Sequence, residues 1–314
     1  MKRTIAFLLS VVMLLTLCAC GNKPQETKAA IRVGSKDFTE NLIVAEIYAL
    51  ALEDAGCTVE RKLNIAGSVV HTAITSGEID LYPEYTGTGL LAILQLPMSS
   101  DPVEVYETIK TAYAEQFQIT WLDSTQVNDR NGLAVRTEIA QQYGIYTMSD
   151  LQREAAHIRI CSQGEFEYRE DGIPGLEKVY GPFHFASIKV YDNGIKYQIL
   201  EQGEADCCPA YSTDAQLVNT ELFTYLDDDL GFWPPYYLAP IVRSEVLEAN
   251  PEIAAILNAV SAKLDTETMV ALNAKVDIDH MEYDEVARDR AGVYGGYRHD
   301  RRLHQRGRPG CDPL

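Results

Sequence analysis

The chain has 314 residues, enough for two lobes and a substantial core, and its 46% hydrophobic and 23% charged residues are those of an ordinary soluble globular protein. A net charge of −19 argues against a nucleic-acid partner, because phosphate binding rests on clustered Lys and Arg. The aromatic inventory leans to tyrosine, 18 against 8 Phe and 2 Trp, and an apolar ring with a polar handle suits recognition as well as core packing.

Lys2 and Arg3 open the chain, and residues 5–17 form an apolar run broken only by Ser10 and Thr16. A membrane span needs roughly 20 apolar residues, so this shorter run reads as a secretory signal peptide. It closes on "LCAC", which resembles the lipobox of bacterial lipoproteins, with Ala19 before Cys20 as the cysteine to be lipidated. The competing reading is a plain secreted protein with a chance cysteine. Residues 21–30 form a polar tether.

From residue 31 the pattern alternates. "IRVGSK" reads as a strand and "DFTENLIVAEIYALALEDAG" as a helix, with Asp37 and Glu40 spaced as a capping box. "TVERKLN" is a strand, "SVVHTAITSGE" a helix, "IDLYPEY" a strand, "LLAIL" and "VEVYETIKTAYAEQF" helical, and "ITWLD" extended. This βαβα order implies a mostly parallel sheet covered on both faces. A second unit starts near Arg136 with a helix at "MSDLQREAA", a strand at "HIRICSQ", a helix at "DNGIKYQILEQGE" and a strand at "ADCCPAYS". "FWPPYYLAPIVR" suits a crossing segment, since proline ends regular structure, and two helices follow it. The expected organisation is a signal peptide at 1–20, a tether at 21–30, a first lobe of 31–132 plus 240–288, a second lobe of 133–239, and a disordered tail at 289–314. That tail is Arg- and Gly-rich without helical periodicity, and a basic partner-binding tail is the other reading. No repeat of 20–50 residues is visible. Five cysteines beyond the lipobox (Cys57, Cys161, Cys207, Cys208 and Cys311) define no disulfide framework, and the six histidines are scattered without metal-ligand spacing.

In open α/β sheets, ligands sit beyond the carboxyl ends of strands. Lys36 lies there, before a helix start, where it either holds an anion with the helix N-terminal field or is simply solvated. "DLYPEYTGTG" puts Tyr85 at a strand end with Thr86, Gly87 and Thr88 behind it, as a site wall or as a packed turn. Arg169 can take a carboxylate bidentately or pair internally with Glu167, Glu170 or Asp171. Tyr211 and Tyr236 repeat the pattern at a second strand end and at the crossing segment. Several tyrosines around one cleft form a cage that attracts a quaternary ammonium through the ring quadrupoles, and Lys36 with Arg169 would suit a carboxylate at the other end.

Five stretches, "GSKDFTE", "GSVVHTAITSGEIDLYPEYTGTG", "EFEYREDGIPGLEKVYG", "AYSTD" and "PPYYLAPIVR", stand in the order seen in substrate-binding proteins of osmoprotectant ABC transporters. Over residues 31–288 the chain resembles that family of glycine betaine, carnitine and choline binders. The resemblance implies an α/β, two-lobed type II periplasmic-binding (Venus-flytrap) fold that closes on its ligand and docks on a permease with its ATPase. It implies that Lys36 and Arg169 hold a ligand carboxylate, that Tyr85, Tyr211 and Tyr236 are cage walls, and that Ser68 and Thr88 face the site. The chain departs from the family at "NDRNGLAV". Asn131 stands where many relatives carry a cage tyrosine, leaving Asp129 to face the cation, and one missing ring is worth ~0.5–2 kcal/mol, up to roughly thirtyfold in affinity. The expected function is a lipid-anchored, extracytoplasmic, monomeric receptor for a quaternary-ammonium osmolyte, with no cofactor, metal, nucleic acid or catalytic residue. Two alternatives stand beside it: another small cationic or zwitterionic solute, and an extracytoplasmic enzyme on the same fold, for which no catalytic triad or nucleotide motif is visible.

Overall fold

The computed structural model of the protein describes residues 29–294. The expected signal peptide, Cys20, nearly all of the tether, and residues 295–314 with Cys311 lie outside the described residues.

Ten strands run in chain order: β1 (Ile31–Lys36), β2 (Val59–Ile65), β3 (Leu81–Tyr85), β4 (Ile119–Trp121), β5 (Asn131–Arg136), β6 (Arg159–Ser162), β7 (Ser187–Val190), β8 (Cys207–Tyr211), β9 (Phe223–Tyr225) and β10 (Leu238–Arg243). They form two five-stranded sheets, ordered β2-β1-β3-β10-β4 and β7-β6-β8-β5-β9. Each sheet is mixed: four strands run one way, in keeping with the mostly parallel expectation, and one is reversed. β10 lies antiparallel between β3 and β4, and β5 lies antiparallel between β8 and β9. Each is the strand nearest a passage from one sheet to the other, so the chain reverses direction as it enters.

The two sheets repeat one plan. "IRVGS" (31–35) matches "IRICS" (158–162), "SGEID" (76–80) matches "QGEAD" (202–206), and "VRSE" (242–245) matches "VRTE" (135–138). The side chains repeat it too. Arg32 clasps Asp80 with its own N–H and its guanidinium, and Arg243 approaches the same carboxylate. Arg159 clasps Asp206 in the same way, with Arg136 3.7 Å from it. By this correspondence Tyr85, at the end of β3, is the counterpart of Tyr211, at the end of β8.

Two segments, 122–130 and 226–237, carry the chain between the sheets, and they pair with each other. Asn128 and Tyr237 form an antiparallel bridge, Asp129 N–H donates to the Tyr236 carbonyl at 3.0 Å, and Leu238 N–H donates to the Val127 carbonyl at 3.1 Å. Pro240, expected at the crossing, lies inside β10 opposite Pro83. Neither carbonyl goes without a donor: Asn41 Nδ2 serves Pro83 at 2.9 Å, and Leu122 N–H serves Pro240 at 3.0 Å.

The helix Thr39–Asp54 is apolar on every side and accordingly central, with Ile43, Val44, Ile47, Tyr48 and Leu52 fully buried. The helices Glu252–Ser261, Thr266–Asp277 and Tyr283–Tyr294 pack around it. The expected capping box is not formed. The helix starts at Thr39 with Phe38 at its N-cap and no side-chain cap, and Glu40 turns inward instead. Residues 289–294, expected in the disordered tail, instead lie in the last helix, Tyr283–Tyr294. Among the described residues Cys161, Cys207 and Cys208 are free, buried thiols, and burial pushes Cys161 up to about 11.

Candidate functional site

A cleft of about 870 Å³ opens where β1, β3, β6 and β8 end, between the two sheets, as expected for ligand sites in open α/β sheets. Tyr85 closes β3, and the chain then turns through Thr86–Thr88 into a π-helical turn, Gly89–Ile93. The turn needs its first glycine: a Cβ on Gly87 would stand 2.6 Å from the Tyr236 ring, which lies flat against that backbone. Phe38, at the head of the central helix, places its ring between the two related tyrosines, 6.0 Å from Tyr85 and 5.8 Å from Tyr211. Phe38, Tyr85, Tyr211 and Tyr236 all line the cleft. Its aromatic wall therefore draws on both halves of the chain.

Each basic side chain at the cleft already has an acid of its own. Lys36, 6% exposed, gives its ammonium to Glu84, whose other oxygen accepts from the Tyr82 hydroxyl at 2.7 Å. Arg169 forks onto Asp171 through Nε (2.7 Å) and Nη2 (2.6 Å). Burial works against the Arg169 charge, yet the Asp171 carboxylate more than offsets it and the guanidinium pKa lies above its ordinary value. The Asp171 Oδ2 atom also accepts from the Tyr236 hydroxyl at 2.8 Å and from Asn131 Nδ2 at 3.2 Å. Lys196 sits 4.3 Å above the Tyr211 ring and pairs with Asp214 at 2.7 Å.

Two buried acids are not matched in this way. Asp129, 4% exposed, lines the cleft and accepts from the Thr213 hydroxyl at 2.7 Å. Glu40, 3% exposed, lies behind the Tyr85 ring, accepting from the Tyr85 hydroxyl at 2.9 Å and from Asn273 at 3.2 Å. Neither makes an ion pair among the described residues. Burial raises the pKa of both; the Glu40 charge raises Asp129 further, and the Asp214 charge raises Glu40.

A family model described as the substrate binding domain of ABC-type glycine betaine transport systems matches residues 29–289. The chain belongs to this family. A glycine-betaine-binding protein of Pseudomonas aeruginosa is 33% identical over 87% of the chain and 89% of its own length. The ergothioneine transport permease/ergothioneine-binding protein of Helicobacter pylori is 34% identical over 82% of this chain, which spans only 46% of that longer protein. Among solved structures, a glycine betaine/carnitine/choline ABC transporter protein superposes with a TM-score of 0.66 at 25% identity, covering 84% of this chain and 98% of that one. The α/β two-lobed fold and the role of a transport substrate-binding protein follow.

Within this family fold, the nine residues singled out from sequence (Lys36, Ser68, Tyr85, Thr88, Asp129, Asn131, Arg169, Tyr211 and Tyr236) all line the one cleft. Ser68 lies exposed in the first turn of the helix Gly67–Thr75, at the rim, while Thr88 is buried in the turn after Tyr85. Lys36 and Arg169 are not free carboxylate holders, since Glu84 and Asp171 occupy them. Of the two readings offered for Arg169, the internal pair with Asp171 is the one the structure contains. Phe38 was missed because the pattern around it reads as a helix cap. Glu40, Glu84 and Lys196 were missed because nothing local marks a buried charge.

Proposed function

We propose that the chain captures a solute bearing a quaternary ammonium group outside the cytoplasmic membrane and delivers it to an ABC permease and its ATPase. The observation that carries this reading is the four-ring wall of Phe38, Tyr85, Tyr211 and Tyr236 with Asp129 beside it. An alkylated ammonium donates no directional hydrogen bond, so it is held by ring faces and a diffuse negative field. Such rings recur in cages for choline-like groups, whereas a fully hydrogen-bonding ligand would need a denser set of free donors. Lys36, Ser68, Thr88, Asn131 and Arg169 complete the binding set, the two basic residues acting as ion pairs that hold the cleft's shape.

On this reading the protein is a monomer anchored through a lipid on Cys20. No helix among the described residues is long and apolar enough to cross a membrane, so an anchor would have to come from outside them.

Equilibrium dialysis against labelled glycine betaine, carnitine and choline tests the function. One or more should be retained and recovered chemically unchanged; retention of none, or conversion of any, would overturn it. Replacing Cys20 with Ala should release the protein from the membrane fraction, and persistence there would refute the lipid anchor.

A further inference from the structure

We propose that Asp129, backed by Glu40, is the counter-charge of the cleft, so that the site takes a solute of net positive charge in preference to a zwitterion and exchanges it for a proton. This rests on the solute-binding reading above and narrows it.

Lys36 with Glu84, Arg169 with Asp171 and Lys178 with Glu170 are closed pairs on the cleft wall, Lys196 with Asp214 is another behind Tyr211, and the exposed Asp37 at the rim adds only negative charge. A ligand carboxylate entering the cleft would meet basic groups whose charge is already compensated and would add a negative charge near Asp129. A cation meets the reverse. Asp129 lines the cleft directly, is nine-tenths buried, and its one side-chain hydrogen bond among the described residues reaches Oδ1 from the Thr213 hydroxyl. No group of described residues is arranged to hold a metal ion, so the pair does not read as a cation site of that kind.

The surroundings favour the protonated form of the pair when the cleft is empty. Tyr85 from β3, Tyr211 from β8 and Tyr225 from β9 face it as neutral phenols. Asp214 adds negative charge to both acids, and Lys196 only partly relieves Asp129. On the far side of Asp214 lies Asp277, hydrogen-bonded by the Thr39 hydroxyl and itself raised by burial. Two carboxylates sharing one dry region cannot both ionise readily. An arriving cation favours the ionised form, and the displaced proton leaves to solvent. Affinity for a cation therefore rises with pH through the raised carboxylate range, whereas affinity for a zwitterion gains less.

Choline chloride and glycine betaine share the trimethylammonium head and differ in the carboxylate, so they are the probes. Calorimetric titration of the full chain at about pH 5.5 and about pH 8, in two buffers of different ionisation heat, reads both affinity and proton release. Choline should bind at least about tenfold tighter than betaine at the higher pH, with up to about one proton released per choline. Asp129→Asn should weaken choline by about tenfold or more, change betaine by less than about threefold, and abolish the proton release. Glu40→Gln should leave both ligands bound but reduce the proton release, and its thermal unfolding verifies that it folds. Betaine binding as tightly as choline in the wild type, or an unchanged proton count in Asp129→Asn, overturns this proposal alone. Failure of both probes to bind overturns the function it rests on as well.

Discussion

Asn131 donates to Asp171 at 3.2 Å, on the same carboxylate oxygen that accepts from the Tyr236 hydroxyl. Asn131, at the position where the family resemblance leads one to expect a cage tyrosine, is thus part of the support that holds a neighbouring ring. Asn131→Tyr gives up that hydrogen bond, worth about 1 kcal/mol, and adds a ring face to the cleft. Affinity for a trimethylammonium solute should tighten by about 2- to 30-fold by calorimetry. Unchanged or weaker binding would mean that position 131 does not face the cation.

Asp171 gathers Arg169, Asn131 and Tyr236 on a side chain that is 1% exposed. Asp171→Ala leaves the guanidinium with only Glu165, 3.7 Å away, and removing one partner of a buried pair costs up to about 3–5 kcal/mol. Urea unfolding should record a loss of about that size together with weakened solute binding. A variant as stable as the wild type would show that the cluster adds nothing to the fold.

Tyr85 has two separable parts: a ring that lines the cleft and a hydroxyl that serves the buried Glu40. Tyr85→Phe keeps the ring and removes the bond, so stability should fall by about 1–2 kcal/mol while solute affinity stays within about threefold. Tyr85→Ala removes the ring as well, and affinity should fall about tenfold or more. Equal affinity losses in the two variants would assign the effect to the hydroxyl and contradict the cage.

Burial acts to raise the Asp206 carboxyl, but the Arg159 guanidinium and N–H outweigh it and hold the pKa below the ordinary carboxylate value. A depressed folded-state pKa stabilises the fold above the unfolded value near ~4, and that contribution is lost as pH falls through the folded value. Asp206→Asn should therefore be less stable than the wild type at neutral pH, with the gap closing in acid. Thermal unfolding of both proteins from about pH 7 down to about pH 3 measures it. A gap independent of pH would place the effect in packing rather than in charge.

Much of this was legible in the residues. Strand ends could be placed because apolar runs stop at Lys36, Tyr85 and Tyr211, and each of these residues lines the cleft. What escaped was long-range. β10 enters between β3 and β4 from far along the chain, and no local pattern announces an antiparallel insertion through Pro240. The internal duplication escaped for a related reason: its copies are long, and the inserted strand comes last in one half and first in the other. Charge pairing was equally hidden. Lys36 reads as available from its neighbours, but its partner Glu84 lies on another strand. Phe38 reads as a capping position, and only the folded arrangement sets its ring between Tyr85 and Tyr211.

Calorimetric titration of the wild type and of Tyr211→Ala with glycine betaine, carnitine and choline tests the central claim most directly. At least one solute should bind the wild type at one per chain with micromolar or tighter affinity, about −8 kcal/mol or stronger, and bind Tyr211→Ala at least about tenfold more weakly. No heat with any of the three, or equal binding by both proteins, would contradict an aromatic cage for a quaternary ammonium.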